Sequence, residues 1–503
     1  MTRTSRGKVH GAIGGATALC ALLTGVPGAH AEEPGSAPEL QVNQRLLDER
    51  IDQLAQVGDG GAKAAPNAPV TGGSFPRSFI IPGTDTSIRI GGEVRLSVDY
   101  ITQGGGNNIN AVPTNTLGVA GLLESTPLNN GDSNHSRSSF VFFSPRESRI
   151  RIETRTPTAL GEAGTVFEFD ALGGVASAQD PAQIANSLIL RMRHGYATLG
   201  PFLVGQTSNW LFDGESHSET LDFGGDPYLG PDRQPLIRFT APLPGIAGAV
   251  YAFELNQPDT DVHTAVGKFD SVNSVAFPGV VNFPAGVGTL NPVGGASINP
   301  AKGGFPDGIA GLQFDQPWMH LRLGAVLRDL EIADGRFIQK SFIGYGGGVQ
   351  GWFAMPWLGE KDQLQYGFGD GVGIGRQISG STNSALDTNY GAFPITSLAA
   401  ANRVIYKPID EWAAWVGYTH RWSPDLRSNV SFGQRHEDYH AQLIGAAQSG
   451  VADKNLTTAH ANLIWSPVAF ADVGVEYLWG QRQVVNNQRG NLSSILTRFR
   501  MRF

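Results

Sequence analysis

Cysteine is nearly absent from this 503-residue sequence, charge is sparse, and long apolar runs are missing. Cys20 is the only cysteine, and it falls in an N-terminal stretch that reads as a leader. Downstream of it the chain has no thiol for a disulfide, a redox pair or a cysteine metal site. Beyond that stretch no run of about 18 apolar residues occurs, which excludes ordinary transmembrane helices. The mean hydropathy of −0.14 agrees. A net charge of −8 and a pI near 5.8 argue against nucleic acid as a partner. Only 16 % of residues are charged, whereas 41 % are hydrophobic and glycine and proline reach 66 and 30. That composition describes many short strands joined by turns.

The N-terminal stretch MTRTSRGKVHGAIGGATALCALLTGVPGAHA opens with Arg3, Arg6 and Lys8, runs apolar from Ala16 to Val26, and closes on Ala29-His30-Ala31. This is the layout of a secretory signal peptide over residues 1–31, and it predicts export. Residues 32–57 are predicted as a periplasmic helical segment. Within them Leu40, Leu47 and Leu54 recur every seven residues with Ile51 on the same stripe, a short coiled-coil pattern. Residues 58–85, opening with GDGGAKAAPNAPVTGG, read as a linker.

From residue 86 to 503 the period is two. In TSIRIGGEVRLSVDY, Ile88, Ile90, Val94, Leu96 and Val98 share one face, and Arg89, Glu93, Arg95 and Asp99 the other. ESRIRIETRTPTALGEAGTVFEFD repeats the pattern, with Ile150, Ile152, Phe167 and Phe169 opposed to Arg149, Arg151, Glu153, Arg155, Glu168 and Asp170. Strands with charge on one face and bare hydrocarbon on the other, and no helices to cover the hydrocarbon, predict a barrel with lipid outside and water inside. Short proline-bearing turns fall at Pro157, Pro201, Pro244, Pro317, Pro356, Pro424 and Pro467, alternating with eight longer polar connections. The predicted fold is all-β, a 16-stranded antiparallel transmembrane β-barrel with a short N-terminal periplasmic helical extension. An even strand number places ANRVIYKP, residues 401–408, inside the sixth long connection rather than in the wall. Aromatics near strand ends, among them Trp318, Trp357, Trp422 and Trp465, fit interfacial girdles in outer-membrane lipid.

With hydrocarbon facing lipid, Arg89, Arg95, Arg149, Arg151, Arg155, Arg191, Arg193, Arg238 and Arg322 turn toward a bore for small hydrophilic solutes. Arginine holds carboxylate or phosphate bidentately and keeps its charge. The competing use of these side chains is to brace the wall by pairing with Glu93, Glu153, Glu168 and Asp170. The third long connection, SNWLFDGESHSETLDFGGDPYLGPDRQ at 208–234, carries Asp213, Glu215, Glu219, Asp222 and Asp226. In sixteen-stranded porins the corresponding loop enters the lumen and narrows it. An acidic loop facing an arginine wall would set up a transverse field.

Enzyme signals are weak. HEDYH, residues 436–440, matches a zinc-protease pattern, but an extended backbone puts its histidines about 13 Å apart. GYGGGVQG and GFGDGVGIG lack the strand-to-helix setting of phosphate loops. No G-x-S-x-G occurs. No catalytic residue, metal or cofactor is therefore expected. The alternatives are an outer-membrane barrel hydrolase and a soluble secreted β-rich binding protein.

GSFPRSFIIPGTDTSIRIGGEVRLSVDY resembles the first strand of the DcaP-like outer-membrane porins, SRIRIETRTPTALGEAGTVFEFD their second hairpin, and RHGYATLGPFLVGQTSNWLFD the approach to their constriction loop. AAWVGYTHRWSPDLRSNVSFG is similar to their twelfth and thirteenth strands. The resemblance implies a homotrimer of sixteen-strand barrels in the Gram-negative outer membrane that passively admits small hydrophilic solutes, leaning toward anions such as dicarboxylates. It carries over to Arg89, Arg95, Arg149, Arg151 and Arg155 and to the loop opened by Gln206, Thr207 and Asp213. Departures are Glu93, where an aromatic residue is common, the pair Asn209 and Trp210, and the acidity of the loop.

Overall fold

The computed structural model describes residues 72–104, 126, 128, 139–173, 189–227, 230, 232–264, 267–270, 301–333, 337–378, 386–388, 397–450 and 452–503. The expected leader, the helical segment and the first part of the linker lie outside the described residues.

The wall consists of β1 (Ser87–Gln103), β2 in two pieces (Phe140–Ser144 and Arg149–Thr158), β3 (Gly161–Gly173), β4 (Ile189–Leu199), β5 (Phe202–Ser208), β6 (Arg233–Pro242), β7 (Ala249–Asn256) and β8 (Asp307–Gln316). It continues through β9 (Met319–Ala333), β10 (Gln339–Ala354), β11 (Gln363–Val372), β12 (Asp410–Arg421), β13 (Leu426–Asp438), β14 (Asp453–Val468), β15 (Ala471–Val484) and β16 (Arg489–Arg502). Each strand pairs antiparallel with the next, and β16 returns to β1 with Arg500 opposite Arg95 and Arg502 opposite Glu93. Closure leaves the wall no free edge, the condition for crossing hydrocarbon. The sixteen strands and their seven short turns fall where the alternation and the prolines put them.

The alternation is inside-out, as expected. Val94 is 61 % exposed, Ile90 52 % and Phe167 44 %, whereas Glu153 and Asp170 are 1 % exposed. Beside the short turns Trp318, Trp357, Trp422, Trp465 and Phe470 stand exposed, forming a girdle at that rim. Local slips break the period in three of the strand pairs, β16–β1, β14–β15 and β3–β4. The β3–β4 register shifts between Glu168 and Phe169, so that His194 faces Glu168 while Arg191 faces Asp170. A bulge re-aims side chains in this way, and it lets the adjacent Arg193 and His194 both reach inward partners, Glu168 and Thr207.

Outside the wall, Asp261–Thr264 pairs with Gly267–Asp270 and with Leu386–Thr388, which pairs in turn with Tyr406–Pro408. This small sheet draws on the fourth and sixth long connections, and it accounts for ANRVIYKP as a loop strand. The described end of the expected linker is docked rather than extended: Phe79–Ile80 pairs with the start of β1, and Phe75 is buried.

The inward loop and the candidate pore

The third long connection, L3 (209–232), follows the inner faces of the strands almost completely around the barrel. It begins with Trp210, fully buried, whose indole N–H donates to the Leu323 carbonyl of β9 at 2.9 Å. The indole sits where β8 and β9 carry Gly311 and Gly324; a Cβ at 311 would overlap the ring. Glycine here provides the close approach that a side chain would block. Gln350 of β10 donates to the Leu211 carbonyl at 2.5 Å, and Arg322 of β9 donates to the Phe212 carbonyl at 3.1 Å.

The acidic residues of the loop then find cations one after another. Asp213 meets His320 Nε2 at 2.7 Å, and the other ring nitrogen meets Asp315 at 2.5 Å. Glu215 lies beside the same histidine at 4.0 Å. Glu219 receives Arg427 bidentately at 2.7 and 3.0 Å, Arg498 at 3.1 Å and Arg500 at 2.9 Å. Asp226 accepts from Thr458 at 2.9 Å and lies 3.6 Å from His460. Asp222 is buried, and Glu476 of β15 accepts the backbone N–H groups of Leu221 and Asp222 at 2.7 and 3.1 Å. Burial of a carboxylate requires such partners. The loop acids therefore turn toward β9 and β13–β16, where Glu219 meets Arg427, Arg498 and Arg500 while Asp213 and Asp226 meet His320 and His460.

A second connection also turns inward, which the sequence did not reveal. After β11 the chain makes one short helical turn, Gly375–Ile378, whose Ile374 and Ile378 pack with Trp210, Leu211 and Trp415 against Val250, Ala252, Ile309, Val326 and Ala413 of the wall. Arg376 from this turn joins Asp232 at the end of L3 at 3.0 Å and also grips Asp259 of the fourth connection. Gly230 donates to the Gln377 carbonyl at 2.8 Å. The bore thus contains a packed apolar core on its β7–β12 side.

The predicted arginines divide accordingly. Arg238 and Arg322 do face inward, but L3 covers them: both stack on Trp210, with Arg238 also bonded to Glu254 and Ser208 and Arg322 to Gln313. They anchor the loop, a correction to their reading as lining residues, because alternation reports the inner face and not what lies over it. Arg89, Arg95, Arg149, Arg151, Arg155, Arg191 and Arg193 stand on β1, β2 and β4, away from that apolar core. Wall acids brace most of them: Arg89 meets Glu153 at 2.9 Å, Arg95 meets Glu147 at 3.1 Å, Arg155 meets Glu153 at 3.2 Å, and Arg193 meets Glu168 at 2.7 Å. Near the start of β1, Arg89 and Arg155 also stack on Phe75. Arg149, Arg151 and Arg191 keep 26 %, 31 % and 25 % of their side-chain surface exposed, and Arg149 reaches its nearest carboxylate, Glu93, only at 4.0 Å.

The two histidines of HEDYH take separate partners. His436 bonds Asn455 at 2.7 Å, and His440 bonds Asp387 at 3.0 Å. Among the described residues no group of three or more His, Cys, Asp or Glu is arranged to hold a metal.

A closed barrel of sixteen antiparallel strands, apolar outside and charged within, defines an outer-membrane porin, and the comparisons with known proteins agree. The family model described as DcaP outer membrane protein matches residues 397–503, and the model described as Porin subfamily matches residues 77–225. The resemblance to the DcaP-like porins therefore stands, and with it a place in the Gram-negative outer membrane. The fold is similar to that of the outer membrane channel DcaP of Acinetobacter baumannii, at 18 % identity and a TM-score of 0.60, covering 83 % of this chain and 97 % of that one. An anion-selective porin from Comamonas acidovorans shares 9 % identity over 83 % of this chain and 100 % of its own, with a TM-score of 0.46. No curated protein matches the chain.

Proposed function

We propose that the protein is a passive diffusion channel for small hydrophilic solutes that favours anions such as carboxylates, with L3 as its constriction. The observation that carries this reading is the set of partly exposed arginines Arg149, Arg151 and Arg191 on the wall opposite the packed core. L3 spends Asp213, Glu219 and Asp226 on His320, Arg427, Arg498, Arg500 and His460, and so leaves Arg149, Arg151 and Arg191 to the wall acids alone.

Reversal potentials across planar bilayers in a salt gradient test the reading directly. A chloride-over-potassium preference is expected, and replacement of Arg149 and Arg151 by glutamine should reduce it. A cation preference would reject the anion assignment while leaving a channel. We further propose that three such barrels associate, that residues 1–31 are removed on export, and that residues 32–57 form a helix in the periplasm. Native mass measurement and N-terminal sequencing of the extracted protein test these points.

A further inference from the structure

The aromatic ring of Phe223 lies at the far end of L3, flanked by Asp222, Gly224 and Gly225, and three arginines from three different strands surround it. Their guanidinium carbons stand 5.6 Å (Arg95, β1), 5.2 Å (Arg149, β2) and 5.5 Å (Arg193, β4) from the ring centroid. All three lie within the range in which a cation is attracted to an aromatic face. Two are also held by carboxylates, Arg95 by Glu147 and Arg193 by Glu168 and Asp170. Arg149 differs. Its nearest carboxylate is 4.0 Å away, and its Nε has no hydrogen-bond partner among the described residues.

A carboxylate and a phenyl ring orient a guanidinium in different ways. The carboxylate cancels its charge as it fixes it, whereas the ring fixes it and leaves the charge in place. We propose that Phe223 is a positioning residue for selectivity: it holds Arg149 toward the bore in an un-neutralised state, so that the tip of the constriction loop, itself acidic elsewhere, helps create the positive eyelet. The inference rests on the anion-channel reading and names the residue that tunes it. L3 is suited to this role because Glu476, Arg498 and Asn462 bind the backbone at 219–222, immediately before the ring.

The test compares Phe223→Leu, Phe223→Tyr and Arg149→Gln in planar bilayers, together with the rate at which phenylglyoxal modifies Arg149, followed by mass spectrometry of the full-length protein. Phe223→Leu should lower the anion-to-cation permeability ratio about two- to fivefold, the range of one cation–π contact. Phe223→Tyr, which keeps the ring, should restore it, and adding Phe223→Leu to Arg149→Gln should cause no further loss. Arg149 should be modified several-fold faster in the leucine variant, with the Asp170-bound Arg191 unchanged. Equal behaviour of the leucine and tyrosine variants in both assays would overturn the role of the ring. A wild-type channel without anion preference would reject the functional reading, and the modification rates would still decide whether Phe223 fixes Arg149.

Discussion

The two sides of the bore are built from the same alternating strands, yet they differ as a core differs from a surface. On β7–β12 the inward positions include an apolar and glycine set, Val250, Ala252, Ile309, Gly311, Gly324, Val326 and Ala413, against which L3 and the turn after β11 bury Trp210, Leu211, Ile374 and Ile378. On β1–β4 they are arginines and acids that pair across neighbouring strands, Arg89 with Glu153 and Arg151 with Glu168. The first side obtains its stability from excluded water, the second from ion pairs that keep some surface wet. A barrel wall is thus a neutral frame, and what fills its inner positions decides whether that sector packs a loop or faces solute.

The comparison can be broken most severely at Trp210. Truncation to alanine removes the largest side chain of the packed side and should cost about 3–5 kcal/mol of stability. The loop would lose its anchor to Leu323 and its cover over Arg238 and Arg322. Unitary conductance should rise and the thermal midpoint in detergent should fall. Unchanged conductance would mean that L3 does not limit flow. Gly311→Ala should act in the same direction, because its methyl group competes for the volume of the indole.

A smaller effect is expected where the loop is held by polar contacts together with one apolar anchor, Leu221, buried among Ile101, Leu456, Ile464, Leu478, Leu492 and Leu496. In Glu476→Gln the side-chain amide would turn one N–H donor toward another at Leu221 or Asp222, and Asn462 and His460 would lose their charged partner. Hydrogen bonds to charged groups contribute about 1.5–3 kcal/mol each, so exchange of the Leu221 and Asp222 amides should accelerate while Trp210 stays buried. If both regions loosened together, L3 would be a single cooperative unit rather than two independently pinned arms. On the wet side Arg151→Gln should leave stability within about 1 kcal/mol, since partly exposed ion pairs contribute little, yet shift the reversal potential. A large fall in stability would recast Arg151 as a brace.

Legibility in the sequence followed the same divide. Strand positions and turns were readable because a period of two and the prolines are local signals, and the wall obeys both. The arginines of β1 and β2 were readable as inward for the same reason. What covers an inward residue is a long-range fact, so Arg238 and Arg322 were indistinguishable from Arg149 until Trp210 was seen stacked on them. Trp210 did leave a trace, as a departure from the loop pattern of similar porins. The turn at Gly375–Ile378 left none, since its two isoleucines sit in a glycine-rich stretch without periodicity and four of their partners, Trp210, Leu211, Val250 and Ala252, lie more than a hundred residues away. Phe223 could have been noticed as a ring set between acids and glycines in a polar loop.

The smallest expected effect lies outside the bore, where the loops meet one another. Asp387, in the loop strand Leu386–Thr388, is buried, accepts the backbone N–H of His440 and lies 3.0 Å from its ring Nδ1, tying the sixth connection to the helical segment Ala441–Ser449 of the seventh, which is kinked at Gly445. Burial raises its carboxyl from 3.8 to about 6, with the hydrogen bonds of His440 opposing and the nearby Glu437 reinforcing the rise. The folded loop therefore binds the proton more tightly than the unfolded chain does. Its docking is strongest below pH ~4 and weakens as the pH rises to about 6, the interval in which the unfolded carboxyl has already lost its proton. Asparagine at 387 keeps an acceptor for His440 and removes the buried charge. Amide exchange across residues 441–449 should thus show the native protein losing protection between pH 4 and 6 after correction for intrinsic rates, and Asp387→Asn losing none. Parallel curves for the two proteins would mean that the junction is held by the apolar contacts of Ile409, Tyr439 and Ile444 alone.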